Sequence, residues 1–151
     1  MDDAPLWVPS PKRVADAHLT RFTERLRARH GVALEDYAAL HRWSLERPDA
    51  FWFEVAHYAG VVADWADQPV LRQADRMPGA EWFPGARLNY AENLLQRRDD
   101  GEALVFWGED RVRRRMSRVE LYAEVARFQQ FLIAAGVGEG DRVAGYLPNL
   151  P

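Results

Sequence analysis

The first part of the chain spaces apolar positions three to four residues apart, which is the period of an amphipathic helix. Ser10 suits the N-cap of this helix, and Pro11 suits its first position, where a backbone N–H is not needed. Gly31 stands where a left-handed residue closes many helices. The pattern predicts one helix to about His30. Val14, His18, Phe22 and Leu26 fall on one stripe of this helix.

Two further helices follow the same logic. The first is predicted over Leu34–Arg47 and stops at Pro48, because proline disfavours helical geometry in the residue before it. The second is capped by Asp49 and runs to Gly60. Residues 63–84 are turn-prone and irregular, so we expect their aromatic side chains to hold them in place. The expected anchors are Trp65, Trp82 and Phe83.

The pattern changes after a predicted helix at Asn89–Arg98. The short apolar run Ala103–Trp107 predicts a strand, and Arg111–Met116 predicts its hairpin partner across the turn Gly108–Asp110. Ser117 and Glu120 then form the Ser-x-x-Glu signature of a capping box. The helix that they open carries one apolar face before Gly136 closes it. That face is Leu121, Val125, Phe128 and Leu132.

The last segment predicts the beginning of a layered α/β domain. A loop at Gly136–Asp141 precedes the apolar run Val143–Leu147, which alternates poorly, as strands buried on both faces do. Strand, helix and strand in this order are typical of a βαβ unit. A sheet that stopped here would expose apolar surface and strand edges. We therefore expect the α/β fold to be incomplete within this chain.

The amino-acid composition argues against several classes of protein and of functional site. The length of 151 residues suits one domain or slightly more, and 48% hydrophobic residues are sufficient for a core. A net charge of −3 argues against a general nucleic-acid binder. The absence of cysteine excludes disulfides, thiolate metal sites and a cysteine nucleophile. The start Met1-Asp2-Asp3 lacks a signal-peptide pattern, and no apolar run is long enough to span a membrane, so we expect a cytoplasmic protein.

Several residue patterns invite a chemical role, and each has a simpler explanation. The loop Gly136–Asp141 resembles a dinucleotide loop, but it follows a helix and precedes a strand, which is the opposite order. An arginine cluster could bind phosphate or coenzyme A, but a solvated hairpin explains it. This cluster is Arg111, Arg113, Arg114, Arg115 and Arg118. The acidic pairs Glu35-Asp36 and Asp99-Asp100 suit a helix start and a loop.

The histidines and tryptophans also favour packing. His18, His30, His41 and His57 show no close metal-ligand spacing on one helix. The six tryptophans could stack on bases or sugars, but anchors of a core or a domain interface explain them. We therefore predict no catalytic, cofactor-binding or metal-ligating residue in this chain.

Short motifs in order along the chain carry a family resemblance. Trp43-Ser44, Pro48 and Phe51-Trp52, followed by Trp82–Gly85 and Leu88-Asn89, resemble the N-terminal cap segment of acyl-CoA synthetases of the acetyl-CoA synthetase type. These enzymes belong to the acyl-adenylate-forming superfamily. The strand, the Ser117 helix, and the segments Gly136–Val143 and Tyr146–Pro148 are similar to the start of their adenylating domain.

The resemblance implies a domain organisation. Residues 1–98 would be the helical cap segment, and residues 99–151 would be the first strand-hairpin-helix-strand part of a truncated AMP-binding domain. Leu6–Pro11 and Leu19–Phe22 resemble the acetoacetate-specific members. The positions that match the family motifs would serve architecture, not chemistry. They are Trp43, Phe51, Trp52, Trp82, Pro84, Leu88 and Asn89.

The resemblance also implies a two-step ligase that uses ATP, Mg²⁺ and coenzyme A to activate acetoacetate. The family's phosphate loop and its C-terminal lysine have no counterpart here, because the chain has three serines, no Ser/Thr/Gly cluster and a sole lysine, Lys12. We expect the chain alone to be inactive and to bind none of these cofactors, with the remainder of the adenylating domain as its partner. Alternatives are a fragment of an acetyl- or propionyl-CoA synthetase, and a truncated, non-catalytic paralogue that acts as a binding module.

Overall fold

A computed structural model describes residues 5–109 and 113–148. The chain divides into two compact units, Met1–Leu88 and Asn89–Pro151. The sequence places the domain boundary at 98/99 instead, on the basis of family motifs. That boundary stays a prediction, because a compact unit and a family domain need not end at the same residue.

The N-terminal helix is two helices, α1 at Pro11–Ala15 and α2 at His18–His30, so the prediction of one continuous helix is wrong. In a continuous helix the Val14 carbonyl would accept from the N–H of His18. It accepts instead from the Ala17 N–H at 3.2 Å and from the Thr20 hydroxyl at 2.6 Å. The predicted caps are present, since Ser10 accepts from the Arg13 N–H and Gly31 is left-handed with φ 63°.

Helix α3 at Tyr37–Glu46 is shorter than predicted, and α4 at Pro48–Tyr58 begins and ends earlier along the chain than predicted. Helix α3 begins late because the Asp36 side chain caps it, accepting from the Ala39 N–H at 2.7 Å. Pro48 stands at the first position of α4, so Asp49 lies within the first turn and is not its cap. Proline there costs no hydrogen bond.

The first unit has a core of its own. Five side chains from α2, α3 and the connection between them bury one another, and partly buried residues of α4 pack against them. Aromatic rings meet edge to face at this junction, with Phe22 and Phe51 centroids 5.8 Å apart. The buried cluster is Phe22, Leu26, Leu34, Leu40 and Trp43.

Residues 61–88, which include the segment 63–84 that we expected to be irregular, contain a small antiparallel hairpin. Strands β1 at Leu71–Arg72 and β2 at Glu81–Trp82 pair, and the backbones of Asp64 and Arg87 pair further out. The N–H of Asp64 donates to the Arg87 carbonyl at 2.8 Å, and the reverse bond measures 3.0 Å. The loop is therefore closed at its base by backbone hydrogen bonds.

The second unit contains α5 at Tyr90–Leu94, strands β3 at Glu102–Trp107 and β4 at Arg113–Ser117, and α6 at Arg118–Ala134. The two strands pair antiparallel, as the predicted hairpin requires, although Asp110 and Arg111 lie outside the described residues. Ser117 and Glu120 form the predicted capping box of α6. Helix α5 ends at Leu94, before its predicted end at Arg98, and the carbonyls of Asp99 and Gly101 accept from the N–H groups of Val119 and Arg118.

The predicted last strand is absent from the described residues, since none is assigned over 143–147. A strand exists by pairing with a neighbour, and the β3–β4 hairpin does not pair with this segment. The fold is thus a mixture of helices with small antiparallel sheets, in keeping with an α/β N-terminal segment. In the part of the chain that the structure describes, no helix is long and apolar enough to cross a membrane.

Candidate functional site

The segment Trp82–Ala86 forms a turn that its residue types dictate. The N–H of Ala86 donates to the Phe83 carbonyl at 3.0 Å, with Pro84 and Gly85 between them. Gly85 has φ 80°, so proline and glycine occupy the two central places that a type II turn assigns to them. A Cβ on Gly85 would also lie 3.2 Å from the Ala66 Cβ. The motif therefore reverses the chain at a place where an added side chain would crowd Ala66.

Aromatic rings fasten this turn to α4. The His57 ring lies tilted against Phe53 with centroids 4.1 Å apart and stacks on Trp65 at 5.3 Å, and Trp65 meets Phe83 at 5.3 Å. His57 Nδ1 donates to the Phe53 carbonyl at 2.8 Å, which fixes the ring. The rings line a pocket of about 140 Å³. The prediction that aromatic side chains hold residues 63–84 is confirmed.

The structure separates the tryptophans that the motifs single out. Trp43 is only 8% exposed and belongs to the core, as predicted. Trp52 and Trp82 meet edge to face at 6.0 Å, yet they are 46% and 43% exposed. Phe51 joins the two groups, because its ring lies 6.4 Å from Trp43 and 5.4 Å from Trp52. Trp52 and Trp82 thus form an aromatic surface, not part of the core.

The other motif positions have local structural roles. Pro84 supplies the first central place of the turn. Asn89 caps α5, because its side chain accepts from the Glu92 N–H at 3.0 Å. Leu88 is exposed and does not belong to the core that the described residues form.

A buried carboxylate is the feature that our sequence analysis missed. Glu54 on α4 is 1% exposed, and its oxygens lie 3.0 Å from Nε of both Arg25 and Arg29 and 3.1 Å from His30 Nε2. Burial alone raises the pKa of Glu54. The hydrogen bonds from Arg25 and His30 and the charges of both arginines outweigh burial and lower that pKa. The sequence signal was an acid that lies between Phe51 and Val55 on a largely apolar helix.

The arginines of the hairpin have partners within the second unit, as a solvated hairpin requires. Arg115 pairs with Glu102, Arg118 pairs with Asp99, and the Arg113 guanidinium lies 4.9 Å from the Trp107 ring centroid. Arg111 lies outside the described residues.

The histidines are engaged in packing and hydrogen bonds. His18 Nδ1 lies 3.1 Å from the Tyr58 hydroxyl, and His41 stacks on Tyr37 at 6.2 Å. Among the described residues, no group of three or more His, Cys, Asp and Glu side chains is arranged to hold a metal ion. The loop at Gly136–Asp141 is closed locally, with the Asp141 carboxylate accepting from the Gly138 N–H at 2.8 Å.

The second unit leaves its apolar residues uncovered. Of its described hydrophobic side chains, Met116 alone is buried. Phe128 and Phe131 stack on each other at 5.9 Å and are both mostly exposed. This amount of exposed apolar surface is unusual for a domain that is complete in itself. The other exposed apolar residues of α6 are Val119, Val125 and Ile133.

Comparison with known proteins places these features in a family context. Residues 37–94 match the model described as the acetyl-coenzyme A synthetase N-terminus. The chain is 43% identical over 149 residues to an acetoacetyl-coenzyme A synthetase of Rhizobium meliloti (strain 1021), covering 99% of this chain and 23% of that protein. It is 36% identical over 147 residues to the acetoacetyl-CoA synthetase of Macaca fascicularis, covering 95% and 22%.

A relative that is named as an acetyl-coenzyme A synthetase is less similar to the chain than these two proteins are. The acetyl-coenzyme A synthetase 2 of Pseudomonas putida is 34% identical over 141 residues, covering 88% of this chain and 21% of that protein. The chain spans less than a quarter of the length of each of these relatives. No solved structure matches it. The resemblance that the motifs indicate is confirmed, since the similarity to acetoacetyl-CoA synthetases extends along nearly the whole chain.

Proposed function

We propose that the chain is the N-terminal part of a cytoplasmic acetoacetate–CoA ligase. The whole enzyme would convert ATP, acetoacetate and coenzyme A into acetoacetyl-CoA, AMP and pyrophosphate. The acid would first attack the α-phosphate to release pyrophosphate, and the thiol of coenzyme A would then displace AMP. The similarity of 99% of the chain to an acetoacetyl-coenzyme A synthetase supports this assignment.

The uncovered apolar surface of the second unit is the structural observation that carries the proposal. Met116 is its only buried hydrophobic side chain among the described residues, while Phe128 and Phe131 face solvent. A helix with this much exposed apolar surface needs another layer to cover it. We assign that layer to the remainder of an adenylating domain, which residues 99–151 would begin. Residues 1–98 would form the helical cap segment.

The role of this chain within the enzyme would be architectural. Adenylation needs charge stabilisation around phosphates, for which enzymes use metal ions, lysine and loop amides. The described residues offer no cluster of metal ligands, and the sole lysine, Lys12, ion-pairs with Asp16 on an exposed helix turn. We therefore assign ATP, Mg²⁺ and coenzyme A to other parts of the enzyme and expect the 151-residue chain alone to be inactive.

Two alternatives have some support. Similarity to an acetyl-coenzyme A synthetase 2 favours an acetyl- or propionyl-CoA ligase, although that similarity is weaker. Substrate profiling of the full reading frame with the three acids separates these enzymes. The exposed apolar residues of α6 would equally suit a non-catalytic paralogue that binds a full-length synthetase. Such a short protein should be monodisperse and melt cooperatively without its partner.

The first experiment is an immunoblot of source cells with antibodies against this segment. A product about four times the mass of this chain supports the ligase, since the relatives are that much longer. A single band at 17.4 kDa contradicts it and favours the binding module.

A second assay measures acetoacetate-dependent ATP–pyrophosphate exchange in the purified chain. Exchange above that of a mock preparation would overturn the assignment of the catalytic residues to other parts of the enzyme.

A further inference from the structure

The first unit carries a row of basic side chains along α2. Arg21, Arg25 and Arg29 are four residues apart, so they lie on one face of the helix with successive Cβ atoms about 5–6 Å apart. The helix contains a single acid, Glu24, beside four arginines. Positive charge is thus concentrated on α2 in a chain whose net charge is −3.

Glu54 orients two of these guanidinium groups without using up their donors. It engages the Nε of Arg25 and the Nε of Arg29, each at 3.0 Å. A guanidinium has five N–H donors, so four on each arginine are not involved in these contacts. The two side chains remain 34% and 50% exposed. Within the described residues, Glu54 is the only acidic partner of either side chain.

The charge of the row is only partly neutralised. One carboxylate, Glu54, pairs with both Arg25 and Arg29, and Arg21 makes no ion pair among the described residues. Asp49, the other acid on α4, is occupied by Arg47 at 3.5 Å. An anion that bound here would meet donors already held in place, which lowers the conformational entropy lost on binding.

We propose that Arg21, Arg25 and Arg29 form a binding site for a phosphate group. Guanidinium groups recognise phosphate oxygens through paired N–H donors, and a tetrahedral dianion can accept from several of them at once. The hairpin arginines that the sequence suggests are less suitable. Arg115 and Arg118 are each paired with an acid of their own, Glu102 and Asp99, whereas Arg25 and Arg29 share the single carboxylate of Glu54.

The test is a titration of the ¹⁵N-labelled 151-residue chain with inorganic phosphate at constant ionic strength. The arginine Nε–H signals report binding, and the Trp43 indole signal reports that the core of the first unit is folded. The signals of Arg25 and Arg29 should shift and saturate, while that of Arg42, an exposed arginine on α3, should not move. A linear response that sodium chloride reproduces would overturn the proposal.

Variants separate the site from general surface charge. Arg21→Gln keeps every contact of Glu54 and should weaken phosphate binding at least about threefold, as loss of an exposed charge contact does. Arg42→Gln is the matched control and should leave the affinity unchanged. Equal weakening by both variants contradicts a defined site.

A titration with succinate tests whether the site prefers a carboxylate ligand. If succinate binds as tightly as phosphate, the choice of phosphate is overturned. None of these outcomes depends on ligase activity.

Discussion

Trp52 on α4 and Trp82 on β2 meet edge to face, with ring centroids 6.0 Å apart, although nearly half of each side chain faces solvent. The pair connects the hairpin of residues 61–88 to the helical core. Edge-to-face pairs add about 0.5–1.5 kcal/mol to the effect of burial. Two half-exposed tryptophans side by side also form a surface that a further layer of protein could cover.

Trp82→Ala should lower the free energy of unfolding of the 151-residue chain by only about 1 kcal/mol, because the side chain is half-exposed and loses mainly the ring pair. Trp43→Ala is the matched control, and it should cost about 3–5 kcal/mol because Trp43 is buried in the core. Denaturant unfolding followed by far-UV circular dichroism measures both values.

The same Trp82 substitution distinguishes an exposed surface from an interface. In a full-length ligase, the loss should rise to about 3 kcal/mol or more if the rest of the enzyme covers Trp82. A thermal midpoint of that variant within a degree of the wild type would reject an interface role for Trp82.

Gly85→Ala should destabilise the chain more than Gly31→Ala does. Both glycines have positive φ, which costs a residue with a Cβ about 1–2 kcal/mol. Gly85 adds a steric conflict, because its Cβ would lie 3.2 Å from the Ala66 Cβ, whereas a Cβ on Gly31 would meet no atom within 4 Å. Thermal melts of the two variants compare the costs. Equal midpoints would show that the turn yields without strain.

Glu54→Gln should lower the free energy of unfolding by about 3 kcal/mol, because the neutral amide leaves Arg25 and Arg29 without their carboxylate. Folding lowers the pKa of Glu54, so the ionised carboxylate stabilises the folded chain. This stabilisation is complete above the unfolded-state pKa of about 4.3. That stabilisation is lost as the pH falls through the folded-state pKa.

The pH dependence of unfolding checks the sign of this effect. As the pH falls from neutral into the acidic range, the free energy of unfolding of the wild type should decrease more than that of Glu54→Gln. Glu46→Gln is the same substitution at an exposed position on α3. Its free energy of unfolding should fall with decreasing pH in the same way as that of the wild type. Parallel pH profiles for wild type and Glu54→Gln would rule out the carboxylate as the source of the stabilisation.

Local signals in the sequence predicted much of the fold. Gly31 as a helix end, Ser117 with Glu120 as a capping box, and the β3–β4 hairpin all depend on a few neighbouring residues. At the break between α1 and α2, the Thr20 hydroxyl donates to the Val14 carbonyl, and helical periodicity does not predict such a side-chain contact.

Long-range partners account for the other differences. Residues 143–147 have the composition of a strand, but a strand needs a neighbour to pair with, and the described residues supply none. The site around Glu54 escaped prediction for a similar reason, because its arginines are 25 and 29 residues before it along the chain. An acid on an apolar helix face gives no indication of which bases will pair with it.

Phe131→Ser should lower the free energy of unfolding of the 151-residue chain by no more than about 1 kcal/mol, because the side chain is 62% exposed and loses mainly its stacking on Phe128. Met116→Ser, at the only buried hydrophobic position among the described residues of the second unit, is the control and should cost about 2 kcal/mol or more. If an adenylating domain covers α6, Phe131→Ser should cost about 2–4 kcal/mol in a full-length ligase. Chemical denaturation of both lengths of protein provides the comparison, and an unchanged midpoint for the Phe131 variant at full length would contradict burial of α6 by the rest of the enzyme.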